Sequence, residues 1–155
     1  MQQEYNVVIA DTTCFILLDK IDKIHLLQQV FTSITTTQTI ANEFGKPLPA
    51  WINILSVTDL HYQEILEVEV DAGEASAIAL SLEFDKPLLI LDDYKARKLA
   101  AKLNLYFTGT FGVLLKAKEI GIIENIKPIL ALIQKTNFRF SNEVLNDILK
   151  LANED

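Results

Sequence analysis

Two short, almost purely apolar runs end in carboxylates, and they restrict the fold more than any other feature of the chain. Residues 6–10, Asn-Val-Val-Ile-Ala, close on Asp11, and residues 87–91, Pro-Leu-Leu-Ile-Leu, close on the pair Asp92-Asp93. Runs this short, without polar alternation and the first of them rich in β-branched residues, read as strands buried on both faces. Such strands belong to a parallel sheet, whose connections must cross back over it through helices. Acids at the carboxyl ends of parallel strands lie along one edge of the sheet and so can share a crevice there.

The intervening segments supply the crossovers. Phe15 to Leu18, then Ile21, Ile24, Leu26, Leu27 and Val30, recur at helical spacing as two short helices broken around Lys20 to Asp22. Residues 33–36 form a β-prone segment, after which Thr36 or Thr37 caps a helix carrying Ile40, Glu43 and Phe44, stopped by Gly45 and Pro47. Trp51 to Val57 alternates as a strand does, and a helix follows from Asp59 to Leu66. Asp71-Ala72-Gly73-Glu74 opens a further helix, and Ala96, Leu99, Ala100 and Leu103 mark another. Leu105 to Phe107 is a last strand, followed by helices over Gly112 to Ile120, about 125–135 and 142–152. Strands alternating with helices in this way predict a three-layer α/β/α domain with a mainly parallel sheet of about five strands.

With 155 residues, 50% hydrophobic and 23% charged, and no Ser/Gly-rich or Pro-rich linker, the chain reads as one domain over 1–155. The first residues lack a basic leader, and no run approaches the ~18 apolar residues of a membrane span, so a cytoplasmic protein with no membrane partner is expected. Cys14 is the single cysteine and His25 and His61 stand far apart, which excludes a thiolate or histidine metal centre. A net charge of −7 opposes binding nucleic acid through bulk electrostatics. A hard cation in an acidic pocket reverses that field locally, so a phosphodiester substrate stays compatible with this composition.

Each acid also has a plain structural role open to it. Asp11 suits the N-cap of the helix beginning near Cys14, and one of Asp92 and Asp93 suits the cap of the helix bearing Lys95 and Arg97. Asp71 and Glu74 have capping-box spacing. Glu43, beside Phe44, suits a solvated helix boundary. The signal lies in the set: two adjacent acids at a strand end repel, and a cation relieves that repulsion.

Taken in order, five stretches resemble the PIN-domain family, in particular a bacterial subgroup related to the VapC toxins. They are Val-Val-Ile-Ala-Asp-Thr-Thr-Cys-Phe-Ile-Leu-Leu at 7–18, Thr39-Ile-Ala-Asn-Glu43, Asp71-Ala-Gly-Glu-Ala-Ser-Ala-Ile-Ala-Leu80, Leu88-Leu-Ile-Leu-Asp-Asp-Tyr-Lys-Ala-Arg97, and Thr108-Gly-Thr-Phe-Gly-Val-Leu-Leu-Lys116. The resemblance spans about 6–150. It implies a PIN-like sandwich and a ribonuclease site in which Asp11, Glu43, Glu74 and Asp93 are catalytic and, with Asp92 as a further ligand, hold Mg²⁺ or Mn²⁺. Glu74 stands where many members carry Asp, and its extra methylene shifts that ligand or sets it behind a water. Thr12 matches the small hydroxyl residue after the first Asp, and Thr108 and Thr110 belong to the same edge.

The expected reaction is hydrolysis of RNA by a water activated on the metal, with no side-chain nucleophile. Lys95, Arg97, Lys98 and Lys102 are candidates to guide the phosphate backbone, Arg97 first because it lies one turn past Asp93 and its planar fork suits phosphate. A solvated helix face is the plainer reading for most of the four. Glycines 109 and 112 offer backbone amides to a phosphate or serve packing. His25, His61, Cys14, Trp51, Phe138 and Phe140 read as structural. The resemblance further implies a small antitoxin protein as partner and a homodimer. Two other functions compete with this one. Aspartyl-phosphate enzymes need Asp-x-Asp after the first strand, where Thr13 stands here, or an acidic pair beside that strand. The other is a PIN-like module that binds RNA or protein without cutting.

Overall fold

A computed structural model describes residues 4–155; Met1 to Gln3, the start of the stretch read as lacking a leader, lie outside the described residues. In chain order the elements are β1 (Val7–Ala10), α1 (Thr12–Lys20), α2 (Leu26–Phe31), β2 (Ile34–Thr37), α3 (Gln38–Phe44), β3 (Ile52–Leu55), α4 (Leu60–Leu66), α5 (Ala72–Ser81), β4 (Pro87–Ile90), α6 (Tyr94–Lys102), β5 (Tyr106–Thr108), α7 (Thr110–Glu119), α8 (Lys127–Gln134) and α9 (Asn142–Leu151). Every expected element is present, with ends shifted by no more than three residues.

The five strands form one all-parallel sheet in the order β3-β2-β1-β4-β5. The chain adds strands outward on one side of β1 as far as β3, then crosses to β4 on the other side. With right-handed crossovers, that reversal sends the helices of the two halves to opposite faces of the sheet, which gives the three layers. It also makes the gap between β1 and β4 a topological switch point, where the chain leaves neighbouring strand ends in opposite directions and a crevice opens. The ladder Val7↔Pro87 through Ala10↔Ile90 brings Asp11 level with Leu91 and Asp92.

Burial follows position in the sheet. All of β1 and most of β4 are buried, as continuous apolar runs between two helical layers should be. β2 is buried along its length although it reads Ile-Thr-Thr-Thr. Two of its three hydroxyls have partners: Thr36 Oγ1 donates to the Ala10 carbonyl at 2.8 Å, and Thr37 Oγ1 bonds Ser76 Oγ at 2.7 Å. The strand expected over Trp51 to Val57 is shorter, and it does not alternate. Only Ile52 of β3 is buried, while Ile54 and Leu55 are about 40% exposed, because β3 is an edge strand whose far end no helix covers. The helix expected from Gly112 begins two residues earlier, at Thr110. Trp51, Phe138 and Phe140 pack against the core, the last edge-on to Phe111 with ring centroids 4.7 Å apart. Among the described residues no helix is long and apolar enough to cross a membrane.

Candidate active site

Asp11 follows β1, and its amide continues the ladder by donating to the Ile90 carbonyl at 3.1 Å. It occupies the N-cap position of α1, yet its side chain makes no capping hydrogen bond. The carboxyl is nevertheless only 4% exposed. Burial drives its pKa up to about 7; the Thr12 amide opposes this, while Asp71, Glu43 and Asp92 add to it.

Glu43 comes from the last turn of α3. That helix starts where Thr37 Oγ1 accepts from the Ile40 amide and ends at Gly45, whose φ of 80° is the left-handed conformation a C-terminal stop requires. Its exposed carboxylate accepts from Thr12 Oγ1 at 3.3 Å and lies over the first turn of α5. Gly73 makes that approach possible, since a Cβ there would come within 3.0 Å of Glu43 Cδ. The position of α3 against α5 is fixed by a buried relay in which Ser76 Oγ donates to the Gly73 carbonyl at 2.7 Å and contacts Thr37 Oγ1. Partial burial and then Asp71 raise the Glu43 pKa against the Thr12 bond.

Glu74 realises its capping box: Asp71 Oδ1 accepts from the Glu74 amide at 2.9 Å, and Glu74 Oε1 from the Asp71 amide at 3.3 Å. One carboxylate oxygen remains uncommitted. Burial, then Asp71, Asp11 and Asp93, push its pKa to about 8, against the Asp71 amide bond.

The strand-end pair divides its work. Asp93, exposed, caps α6 through Oδ2 on the Ala96 amide at 3.0 Å and faces Glu74. Asp92 faces Asp11 and is held by Thr110, whose amide and hydroxyl donate to its two oxygens at 2.8 and 2.6 Å. Gly109 is the close-approach position here, because a Cβ would stand 2.8 Å from Asp92 Oδ1 and 3.5 Å from Arg97 Nη2. Arg97 stacks its guanidinium 5.1 Å from the Phe107 ring centroid, and its buried Nε has no hydrogen-bond partner.

Other expected residues fall elsewhere. Thr108 packs on the backbone of Gly112. Lys95 is exposed on a different face of α6 from Arg97. His25 and His61 are exposed, His61 lying 4.0 Å from Glu64. Cys14 is fully buried, and burial drives its thiol pKa far up, so it stays protonated beside Thr110.

Its spacing marks Asp71 only as a cap. Because the first turn of α5 points into the crevice, its cap residue arrives there too, and it raises the pKa of Asp11, Glu43 and Glu74. Thr39, Asn42, Glu43, Asp71 and Ala72 line an open depression of 540 Å³ beside the acids. Thr39 precedes Glu43 by four residues, the helical spacing that sets the two on one face of α3.

None of Asp11, Glu43, Asp71, Glu74, Asp92 and Asp93 has a cationic side chain within 4.0 Å among the described residues; the ion pairs there all lie elsewhere. Nor is any group of three or more His, Cys, Asp or Glu among the described residues already arranged around one metal position. The crevice is therefore a set of unbalanced carboxyls on rigid supports, two of them holding their protons near neutrality. All-oxygen donors that can carry high negative charge suit Mg²⁺, Mn²⁺ or Ca²⁺ rather than a softer metal. A family model described as PIN domain matches residues 7–154. Among curated proteins nothing matches.

Proposed function

The chain belongs to the PIN-domain family, whose members are typically nucleases, and from that premise we propose that it is a metal-dependent endoribonuclease using the acid crevice at the β1–β4 switch point. The observation that carries the reading is Asp11. It is a strand-end carboxyl, almost fully buried, free of any capping bond, without a counter-cation and ringed by further acids. A fold keeps such a group at a cost in stability, and a cation that joins the site removes the cost.

Asp11, Glu43, Glu74 and Asp93 are the residues we assign to hold Mg²⁺ or Mn²⁺, Asp93 through the oxygen not used in capping α6, with Asp92 as a further ligand and Asp71 at the rim. When bound, the metal supplies a lowered water pKa and neutralises charge developing on the phosphodiester. The chain does the rest by position. Thr12 orients Glu43 and Thr110 orients Asp92, each by a hydrogen bond to the carboxylate. Arg97 lies across Gly109 from Asp92, and it is its terminal Nη2 end that stands on the Asp92 side, where a phosphate oxygen would meet it.

RNA as substrate, a toxin role, a small antitoxin protein that blocks the crevice and a homodimer are parts of the same proposal, supported by the likeness to the VapC relatives. The experiment is incubation of the protein with single-stranded RNA and Mn²⁺, with and without EDTA, beside Asp11→Asn. Cleavage that requires both metal and Asp11 is the expected result. RNA bound but left intact by the wild type would identify a silent binding module instead, and equal cleavage by the variant would remove the crevice from the reaction. Expression in a bacterial host with and without the neighbouring gene tests the toxin role, by growth arrest that the neighbour relieves.

A further inference from the structure

The cations expected to guide the substrate are split by the fold into two groups. Arg97 turns inward over Phe107, whereas Lys95, Lys98 and Lys102 are exposed along one outward face of α6, opposite the buried Ala96 and Ala100. These three lysines line a groove of 350 Å³ with Leu99, and its other wall is Val68 and Glu69 of the turn after α4. Acids outnumber bases by 21 to 14 in this chain. Even so, none of the three ammonium groups has a carboxylate within 4.0 Å among the described residues. Glu69 is the one acid lining the groove, so three cations against one anion leave it with net positive charge in an acidic protein.

The direction of the row gives it meaning. α6 begins at its cap, Asp93, on the lip of the acid crevice, and Tyr94 at its first position is 75% exposed on the same side as the lysines. At 1.5 Å per residue the row extends from ~3 Å to ~14 Å along the helix axis from Asp93, the length of a few nucleotides. An open aromatic followed by a line of unpaired cations is the combination that holds single strands, by stacking a base and tracking the backbone. A single line of lysines under a net charge of −7 leaves little for the second strand of a duplex to bind.

We propose that the groove between α6 and the 67–70 turn is the track along which single-stranded RNA leaves the crevice, Tyr94 stacking a base and Lys95, Lys98 and Lys102 contacting successive phosphates. The proposal rests on the nuclease reading for its direction but not for its binding, which permits separate tests. Replace the three lysines together by Gln, and in a second protein replace Tyr94 by Ala. As a control for bulk charge, replace Lys20, Lys127 and Lys135 by Gln.

With a labelled 12-nucleotide single strand and Mn²⁺, the triple groove variant is expected to show KM raised ~10-fold and kcat within twofold of wild type. The salt dependence should flatten by about two in log–log slope, given ~0.7 per phosphate contact on single strands. Tyr94→Ala should raise KM by roughly 5-fold or more, within the range for loss of one stacked base. Anisotropy in EDTA, where nothing is cut, should show the same loss of affinity for the groove variant and none for the control. Equal weakening by groove and control variants, or a groove variant that binds and cuts like wild type, overturns the track. A wild type that cuts nothing but binds RNA through these lysines overturns the nuclease reading and leaves the track standing.

Discussion

Two buried carboxylate environments in this molecule are built in opposite ways. Glu154, after α9, accepts hydrogen bonds from the Ile126 and Lys127 amides at 2.7 and 3.0 Å and from Lys118 Nζ at 2.9 Å. It thereby caps α8, which has no side-chain cap of its own, and ties the end of the chain to α7 and α8. Burial alone would raise its pKa, but the bonds from Ile126, Lys118 and Lys127 outweigh it and hold the carboxyl below its usual range. Asp11 and Glu74 are also buried, have fewer donors and no cation, and are shifted upward instead. Charge that comes with donors stabilises a fold; charge brought together without them destabilises it and so marks a place reserved for a ligand.

The sharpest way to break this contrast is to neutralise one acid of each kind. If Asp11 holds the metal as proposed, Asp11→Asn should lower the rate of RNA cleavage by roughly 10³-fold, since several kcal/mol of transition-state stabilisation would go with it. In EDTA at pH 8 the same variant should melt no lower than wild type, because a buried, uncompensated charge is gone. Melting curves and cleavage rates on one preparation measure both. A variant that loses stability and activity together would place Asp11 with Glu154 as a structural acid.

Glu154→Gln should show the reverse. It keeps cleavage and loses about 2–3 kcal/mol of stability, the usual scale for hydrogen bonds to a charged group, read as the denaturant midpoint. Removing a donor-rich carboxylate also leaves Lys118 without its ion pair.

Titration separates the two environments without mutation. Asp11 and Glu74 retain protons in the folded state at pH values where the unfolded chain, with carboxyls near 4, has released them. The folded state then binds more protons, so their contribution falls as pH rises from ~4 to ~8 and is unaffected below ~4. Glu154 acts in the opposite sense: its contribution is full at neutral pH and is lost as pH falls through its lowered pKa. In EDTA the melting temperature should therefore peak near pH 5 and drop by roughly 5 °C towards pH 8, corresponding to ~2 kcal/mol for a chain of this size. Mn²⁺ should raise it most at pH 8, where the acids bind metal without first losing a proton. A flat profile in EDTA would mean that the crevice acids are solvated like any surface carboxylate.

The same contrast explains which parts were legible in the sequence. β1 and β4 were legible because a strand covered on both faces must be apolar throughout, and an acid just past such a run has to stand at the sheet edge. The capping box of Asp71 and Glu74 was equally readable, being local. That local reading also hid the role of Asp71, whose approach to Asp11 and Glu43 depends on the relay from Thr37 through Ser76 to Gly73, a tertiary contact between α3 and α5 that no spacing announces. β3 misled for a similar reason: alternation implies one covered face, and whether Ile54 and Leu55 are covered is decided by the strand's place at the edge. Arg97 and Lys95, two residues apart, looked like one cluster until the helix turned them to different sides.

Gly73 gives the smallest and most discriminating test, because activity and stability should move apart there. It lies in the first turn of α5, with a backbone conformation open to any residue, so Ala at this position gains up to ~1 kcal/mol in helix propensity. The added Cβ would, however, occupy the space of the Glu43 carboxylate, which is the far end of a flexible side chain and can swing outward. Gly73→Ala is therefore expected to leave the melting temperature equal or slightly higher while cleavage falls roughly 10-fold through the displaced ligand, a change of ~1.4 kcal/mol in barrier. The loss should appear as a weaker dependence on Mn²⁺ concentration, with the apparent metal affinity reduced and the rate partly recovered at saturation. Unchanged metal dependence would show that Glu43 does its work from outside the crevice, and that the acid brought closest to α5 by a missing side chain is there for packing alone.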